Sequence, residues 1–162
     1  MDKQSAADKQ NLKLVALDGE DVGALSTNLQ DAVLKIGDLV FQPQAKRFLA
    51  VVNRFDWTHA AAIDGKAPGA FYQRRQAVLR FEKVEAARLH AIDRANPAGV
   101  LSLLAVTFES TAAPAGQVTL HFAGGGAVRL DVECIEAELR DLGPVFRTKN
   151  RPRHDEADGG SS

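Results

Sequence analysis

This chain of 162 residues has little cysteine, no long apolar run and no recognisable signal peptide. It has one cysteine, Cys134, so no intrachain disulfide can form, which is typical of a reducing compartment. No apolar run approaches the roughly 20 residues of a membrane-spanning helix. The first ten residues are too polar for a signal peptide. We therefore expect a cytoplasmic protein with no membrane partner.

Neither sign of charge is in excess. The chain has 20 basic and 21 acidic residues, which leaves a formal net charge of −1. A molecule so nearly neutral does not attract nucleic acid or an anionic membrane through its overall field. Any such role must come from a local patch of charge.

The motifs that identify many enzymes are also missing. The sequence has no G-x-S-x-G, C-x-x-C or G-x-x-x-x-G-K-[ST]. Its four histidines are not spaced so that two metal ligands share one face. They are His59, His90, His121 and His154. The sequence therefore predicts no catalytic residue, no cofactor and no bound metal.

The clearest pattern that is present lies in residues 117–134. Apolar residues alternate with polar or small ones on both sides of a triple glycine at 124–126, which predicts two strands with one buried face. The buried set is Val118, Leu120, Phe122, Val128, Leu130, Val132 and Cys134. Because a strand follows the glycines, they suit a hairpin turn and not a phosphate loop. We expect Arg129 to be exposed and the Cys134 thiol to be buried and unreactive.

Two segments have the spacing of amphipathic helices. A stripe of Val22, Leu25, Leu29 and Ala32 follows Asp18, a good N-cap, and predicts a helix over residues 19–32. Ile135, Leu139 and Leu142 predict a C-terminal helix over residues 135–142, which Gly143 and Pro144 would end.

Most of the remaining chain has the composition and spacing of strands, about seven in all. We expect a single α+β domain over residues 11–146. Residues 1–10 should be disordered, and residues 147–162 should form a charged, largely disordered tail. The predicted architecture is a curved, mostly antiparallel sheet or a partly open barrel capped by the C-terminal helix. This order of elements resembles the pleckstrin-homology-like fold, and a two-layer α+β sandwich fits nearly as well.

The sequence offers one candidate binding surface near the only tryptophan. Arg54, Asp56 and Trp57 lie together before residues 58–70, which we expect to form a surface loop. Arg80 and Arg129, on later strands, would extend a patch on the solvent-exposed face if the strands adjoin. The alternatives are that these charges form cross-strand ion pairs and that Trp57 is a core residue whose N–H bonds to the backbone.

A second candidate surface is a run of cations near the C-terminus, formed by Arg147, Lys149, Arg151 and Arg153. Such a run can bind the phosphates of nucleic acid. It has little aromatic surface for stacking on bases, and acidic residues follow it directly. A solubilising tail or an intramolecular anchor is the alternative.

Several blocks of sequence are together similar to one bacterial family, mainly alphaproteobacterial, that is defined only as a domain of unknown function. They include LQDAVLKIGDLVF, VVNRFDW, LSLLAVTFE and TLHFAGGGAVRLDVECIEAELRDLGP, and the resemblance covers about residues 12–154. It implies one domain in a bacterial cytoplasm and transfers no activity and no site residue.

Three functions are compatible with these observations. A non-catalytic binding or adaptor module with a protein partner is favoured, because no catalytic constellation is present. The second is a nucleic-acid-associated protein that uses the basic run at 147–153. The third is a small enzyme with a site near Trp57 and the 58–70 segment. The sequence is also compatible with a homo-oligomer.

Overall fold

Antiparallel strands make up most of the structure. A computed structural model of the protein describes residues 11–64, 72–148 and 152. Within these residues the strands are β1 (Lys13–Ala16), β2 (Val33–Lys35), β3 (Leu39–Gln42), β4 (Arg47–Phe55), β5 (Tyr72–Phe81), β6 (Val84–His90), β7 (Val100–Ala112), β8 (Ala115–Phe122), β9 (Ala127–Val132) and β10 (Ala137–Thr148). The helices are α1 (Gly19–Leu29) and α2 (Trp57–Ile63).

The strands form one sheet in the order β1-β10-β5-β4-β2-β7-β8-β9-β6, and β3 pairs with β4 outside this path. Within the described residues the end strands β1 and β6 do not pair with each other, so the sheet is open. The predicted α+β fold of about seven strands, with its partly open barrel, is therefore wrong. A main reason is that β2 and β3 are only three and four residues long and are separated by a 3-10 turn at Ile36–Asp38. Residues 33–41, VLKIGDLVF, are β-rich throughout, so composition alone does not show that they form two short strands.

Helix α1 forms where the sequence predicts a helix. The N-cap residue Asp18 accepts the Asp21 N–H with its Oδ1, and Asp21 Oδ2 accepts the N–H of Leu17, the residue before the cap, both at 2.8 Å. The apolar stripe on α1 is buried in the core formed by one face of the sheet. The helix ends at Leu29, three residues before the predicted end, although Ala32 is buried as expected.

The predicted glycine hairpin is confirmed. Strands β8 and β9 pair antiparallel with Val118 opposite Leu130 and Leu120 opposite Val128. Gly124 in the turn has a φ of 87°, which glycine adopts without strain. The six predicted strand residues are buried and Arg129 is exposed. Cys134 differs from the prediction, because it lies beyond the end of β9 and is only half-buried.

The predicted C-terminal helix over residues 135–142 is wrong, since β10 is a strand that begins at Ala137. It lies between β1 and β5, with Leu139 opposite Leu14 on one side and Leu79 on the other. Leu142, which a helix would bury, is 49% exposed. Asp141 faces the core instead. Because one of the core-facing residues is charged, the sequence of β10 does not show the alternation of apolar and polar residues that predicts a strand.

Gly143 does not end a helix but lies in the irregular part of β10, where the pairing with β5 shifts register between Asp141 and Val145. Its φ of 151° is one that other residues rarely adopt. The predicted pleckstrin-homology-like order of elements is also wrong, because it requires a C-terminal helix where the protein has strand β10. The N-terminal ten residues and the acidic tail lie outside the described residues, so their disorder stays a prediction.

Candidate functional site

The predicted site residue Arg54 lies on the core face of the sheet and not on its solvent-exposed face. It continues the buried row of Phe48, Ala50 and Val52 along β4 and is itself only 4% exposed. Its Nε and Nη2 donate to the two carboxylate oxygens of Asp141, each at 2.8 Å. This is a bidentate contact, the strongest geometry for an arginine–carboxylate pair. It joins β4 to β10, which are separated by β5.

A second buried ion pair lies beside the first. Arg75 is 1% exposed, and its Nε donates to Asp56 Oδ2 at 2.8 Å. Arg75 also donates to the side-chain oxygens of Asn11 and Gln73. Because Arg54 and Arg75 are directly opposite each other on β4 and β5, the two pairs adjoin. We call Arg54, Asp56, Arg75 and Asp141 the buried charge cluster; its formal charges sum to zero.

Asp56 has two roles within the buried charge cluster. Its Oδ2 binds Arg75, and its Oδ1 accepts the His59 N–H at 2.9 Å, which caps α2. Burial raises the pKa of Asp56, but the bonds from Arg75 and His59 and the charge of Arg54 outweigh it and hold the pKa below its ordinary value of 3.8. The ionised form is therefore the stable one in the folded protein.

This lowered pKa predicts how stability depends on pH. Because the carboxyl of Asp56 titrates at lower pH in the folded chain than in the unfolded chain, its contribution is fully present above 3.8 and is lost as the pH falls through the folded pKa. The difference in unfolding free energy between wild type and Asp56→Asn should therefore be constant near neutrality and shrink in acid. Urea unfolding from about pH 2 to pH 7 measures it. A difference that stays constant over this range would contradict the assignment.

Trp57 contacts other parts of the protein through both its ring nitrogen and its ring. Its Nε1 donates to the backbone oxygen of Gln30 at 3.0 Å, and its ring packs edge-on against Phe55 with centroids 4.5 Å apart. Trp57 is half-buried and begins α2, which occupies residues that had been predicted to form a loop. Residues 65–70 of that predicted loop lie outside the described part of the chain.

The structure does not bring Arg54, Arg80 and Arg129 together on one face. Arg80 lies on the outer face of β5, with Nε 3.2 Å from a Glu82 oxygen and Nη2 3.5 Å from a Glu138 oxygen. Arg129 is exposed on β9, opposite Arg88 of β6. The alternative to a binding patch was that these charges form cross-strand ion pairs. Such pairs are observed for Arg54, Asp56 and Arg80.

The predicted polyanion contacts cannot be placed on the fold. Lys149, Arg151 and Arg153 lie outside the described residues, as does the side chain of Arg147. Their role therefore stays a prediction.

The sequence did not reveal a cavity of about 270 Å³ that lies between β2 and β4. Strand β2 pairs with β7 over three residues but with β4 only through Val33 and Asn53, so β2 and β4 separate beyond that pair. Val33, Val51 and Val100 form apolar walls. The polar lining consists of Lys35, Asp38, Asn53 and Gln76.

Asn53 is the most informative residue of the cavity. Its Oδ1 is buried and has no hydrogen-bond partner among the described residues. Lys35 and Asp38 likewise form no ion pair within that part of the chain. Buried polar atoms without partners are uncommon in folded proteins, so each requires an explanation, and a bound water, ion or ligand is one. The only sequence signal was an amide inside the strand segment VVNRF, where asparagine is unfavourable.

The family described as "Protein of unknown function (DUF2948)" matches residues 12–154. The chain belongs to this family. The matched segment includes both the buried charge cluster and the cavity of this DUF2948 chain. No curated protein and no solved structure shows a significant match.

Two further findings concern the described residues of the DUF2948 chain. None of their helices has both the length and the apolar character needed to cross a membrane. They also contain no group of three or more histidine, cysteine, aspartate or glutamate side chains arranged to hold a metal ion.

Proposed function

We propose that the protein is a non-catalytic binding module and that the cavity between β2 and β4 receives a hydrogen-bond-donating group of its ligand. The observation that supports this is the buried Oδ1 of Asn53, which lines the cavity and has no partner among the described residues. A buried acceptor without a partner costs about 1–3 kcal/mol. An N–H or O–H group of a ligand would recover this energy on binding.

The rest of the cavity suits a small, mainly apolar group that carries such a donor. Val33, Val51 and Val100 form its apolar walls, and Val100 is 68% exposed. Apolar walls with a few fixed polar groups are typical of ligand sites, whose volumes begin near about 300 Å³. Lys35 and Asp38 supply one charge of each sign, so they favour a polar or zwitterionic group over one with a large net charge.

A binding role is favoured over a catalytic one by the state of the buried carboxylates. The carboxylates of Asp56 and Asp141 are each hydrogen-bonded to an arginine in the buried charge cluster. For Asp56 the bonds from Arg75 and His59 outweigh the effect of burial and hold the pKa below its ordinary value of 3.8, so its carboxylate is a poor proton acceptor. The enzyme and nucleic-acid alternatives depend partly on residues 65–70 and 149–153, and they remain predictions.

Asn53→Leu tests the proposal. The wild-type protein, labelled with ¹⁵N, is titrated with small primary amides and alkylammonium ions while backbone amide resonances are followed by NMR. We expect saturable shifts at Val33, Lys35 and Gln76. In Asn53→Leu the affinity should fall at least about fivefold, since one hydrogen bond is worth about 1 kcal/mol. Stability should change little, because leucine removes a buried acceptor that has no partner.

Gln117→Leu is the matched control. Gln117 is also a half-buried amide on a strand, but it lies on β8 and donates to Asp131 at 3.2 Å. This variant should bind the probes as wild type does. Probes that bind Asn53→Leu as tightly as wild type, or that shift no resonance of the cavity in the wild type, would overturn the proposal.

A further inference from the structure

Arg74 differs from the other arginines that are not fully exposed. Four of these have a carboxylate oxygen within 4.0 Å: Arg47, Arg54, Arg75 and Arg80. Arg74 is half-buried on β5 and has no carboxylate at that distance among the described residues. Burying a cation without an anionic partner is unfavourable, so the position of Arg74 requires an explanation.

The guanidinium of Arg74 is held in place by neutral groups. Its Nη1 donates to the backbone oxygens of Asp31 at 3.3 Å and Asn53 at 3.2 Å. Its central carbon lies 5.6 Å from the centroid of the Phe55 ring, within the range of a cation–π contact. These contacts occupy one nitrogen and one face of the group. Nε and Nη2 have no hydrogen-bond partner within the described part of the chain.

Nε and Nη2 are the pair of donors with which arginine binds a carboxylate side by side. Arg54 uses the same two atoms to bind Asp141 in this protein. We propose that Arg74 binds the carboxylate of a ligand through Nε and Nη2. This inference rests on Arg74 and not on the cavity, so it stands or falls independently of the proposed function.

The surrounding charges favour a carboxylate over a phosphate. The charge of Asp31 acts on Arg74, and burial lowers the pKa of Arg74 more than Asp31 raises it. Arg75, the next residue, is bound to Asp56 on the opposite face of the sheet. A doubly charged phosphate would thus be attracted by one cation, Arg74, and repelled by the nearby Asp31. A carboxylate carries a single charge and matches the two donors of Arg74, Nε and Nη2.

The test follows the Nε–Hε resonance of Arg74 by NMR in the folded wild-type protein. Sodium acetate and sodium phosphate are each added at constant ionic strength against a sodium chloride reference. We expect a saturable shift with acetate that is larger than the shift with phosphate and absent with chloride. Equal responses to acetate and chloride, or a stronger response to phosphate, would overturn the proposal.

Two variants and one further ligand complete the experiment. Arg74→Lys keeps the positive charge but lacks the planar guanidinium. Its affinity for acetate, followed in this variant and in wild type by the backbone amide resonances of Asp31 and Asn53, which Arg74 contacts, should fall at least about fivefold. Arg129→Lys, at an exposed arginine on β9, should not change acetate binding. An unaltered affinity in Arg74→Lys would contradict the bidentate contact. A short peptide acid that binds more tightly than acetate, with its C-terminal amide inactive, would indicate a chain carboxylate; equal affinities would indicate a free small acid.

Discussion

Replacing Asp141 by alanine is expected to lower the free energy of unfolding by about 3–5 kcal/mol, because removing one member of a buried ion pair leaves the other charge buried without a partner. The uncompensated charge would be Arg54, which donates twice to Asp141. Asp141 Oδ2 also accepts the Leu12 N–H at 2.7 Å, so the change would loosen the start of β1 as well. Chemical denaturation with a two-state fit measures the loss.

Two comparisons make this prediction specific. Glu138→Ala removes a carboxylate from the same strand, but one whose three cationic neighbours, Lys13, Arg80 and Arg140, lie 3.5–3.8 Å away and are 41–59% exposed, so it should cost under about 1 kcal/mol. The double variant Arg54→Met with Asp141→Leu removes both charges and should recover most of the stability, since buried pairs are often replaceable by apolar residues. If Asp141→Ala costs no more than Glu138→Ala, the cluster is not structurally important.

Leu130→Ala is expected to cost about 2–5 kcal/mol, from lost burial and from the cavity left behind. Leu130 is fully buried in the core on β9, where the sheet pairs it with Val118 of β8 and Ala87 of β6. The matched control is Arg129→Ala, one residue earlier on the same strand but exposed, which should cost under about 1 kcal/mol. Equal losses in urea denaturation would show that the assignment of faces is wrong.

Elements that depend on neighbouring residues could be predicted from the sequence. The capped start of α1 needs only Asp18 and Asp21, and the β8–β9 hairpin needs only its alternation and its glycines. Both rest on contacts between residues close in the chain. For the same reason, the apolar stripe of α1 and, apart from Cys134, the buried face of the hairpin were predicted residue by residue.

Features built from distant residues could not be predicted in this way. Asp141 lies 87 residues from Arg54, so nothing local shows that this aspartate faces the core. Without that knowledge, Leu139 and Leu142 fit a helix better than a strand. The cavity likewise arises because β2 turns away from β4, and the sequence of either strand alone carries no sign of it. The pairing of Asp56 with a cation of another strand was anticipated as one alternative, but its partner was not identified.

Among the strands that the structure describes, the first pairs with the last. Within the described residues β1 has β10 as its only strand partner, and Leu12 and Asn11 are tied to Asp141 and Arg75. During synthesis on the ribosome, β1 therefore emerges first but has no strand to join until β10 has left the exit tunnel. The long delay between making these two strands, and the slow closure of contacts so distant in sequence, mean that the sheet is completed only after translation of this domain has ended.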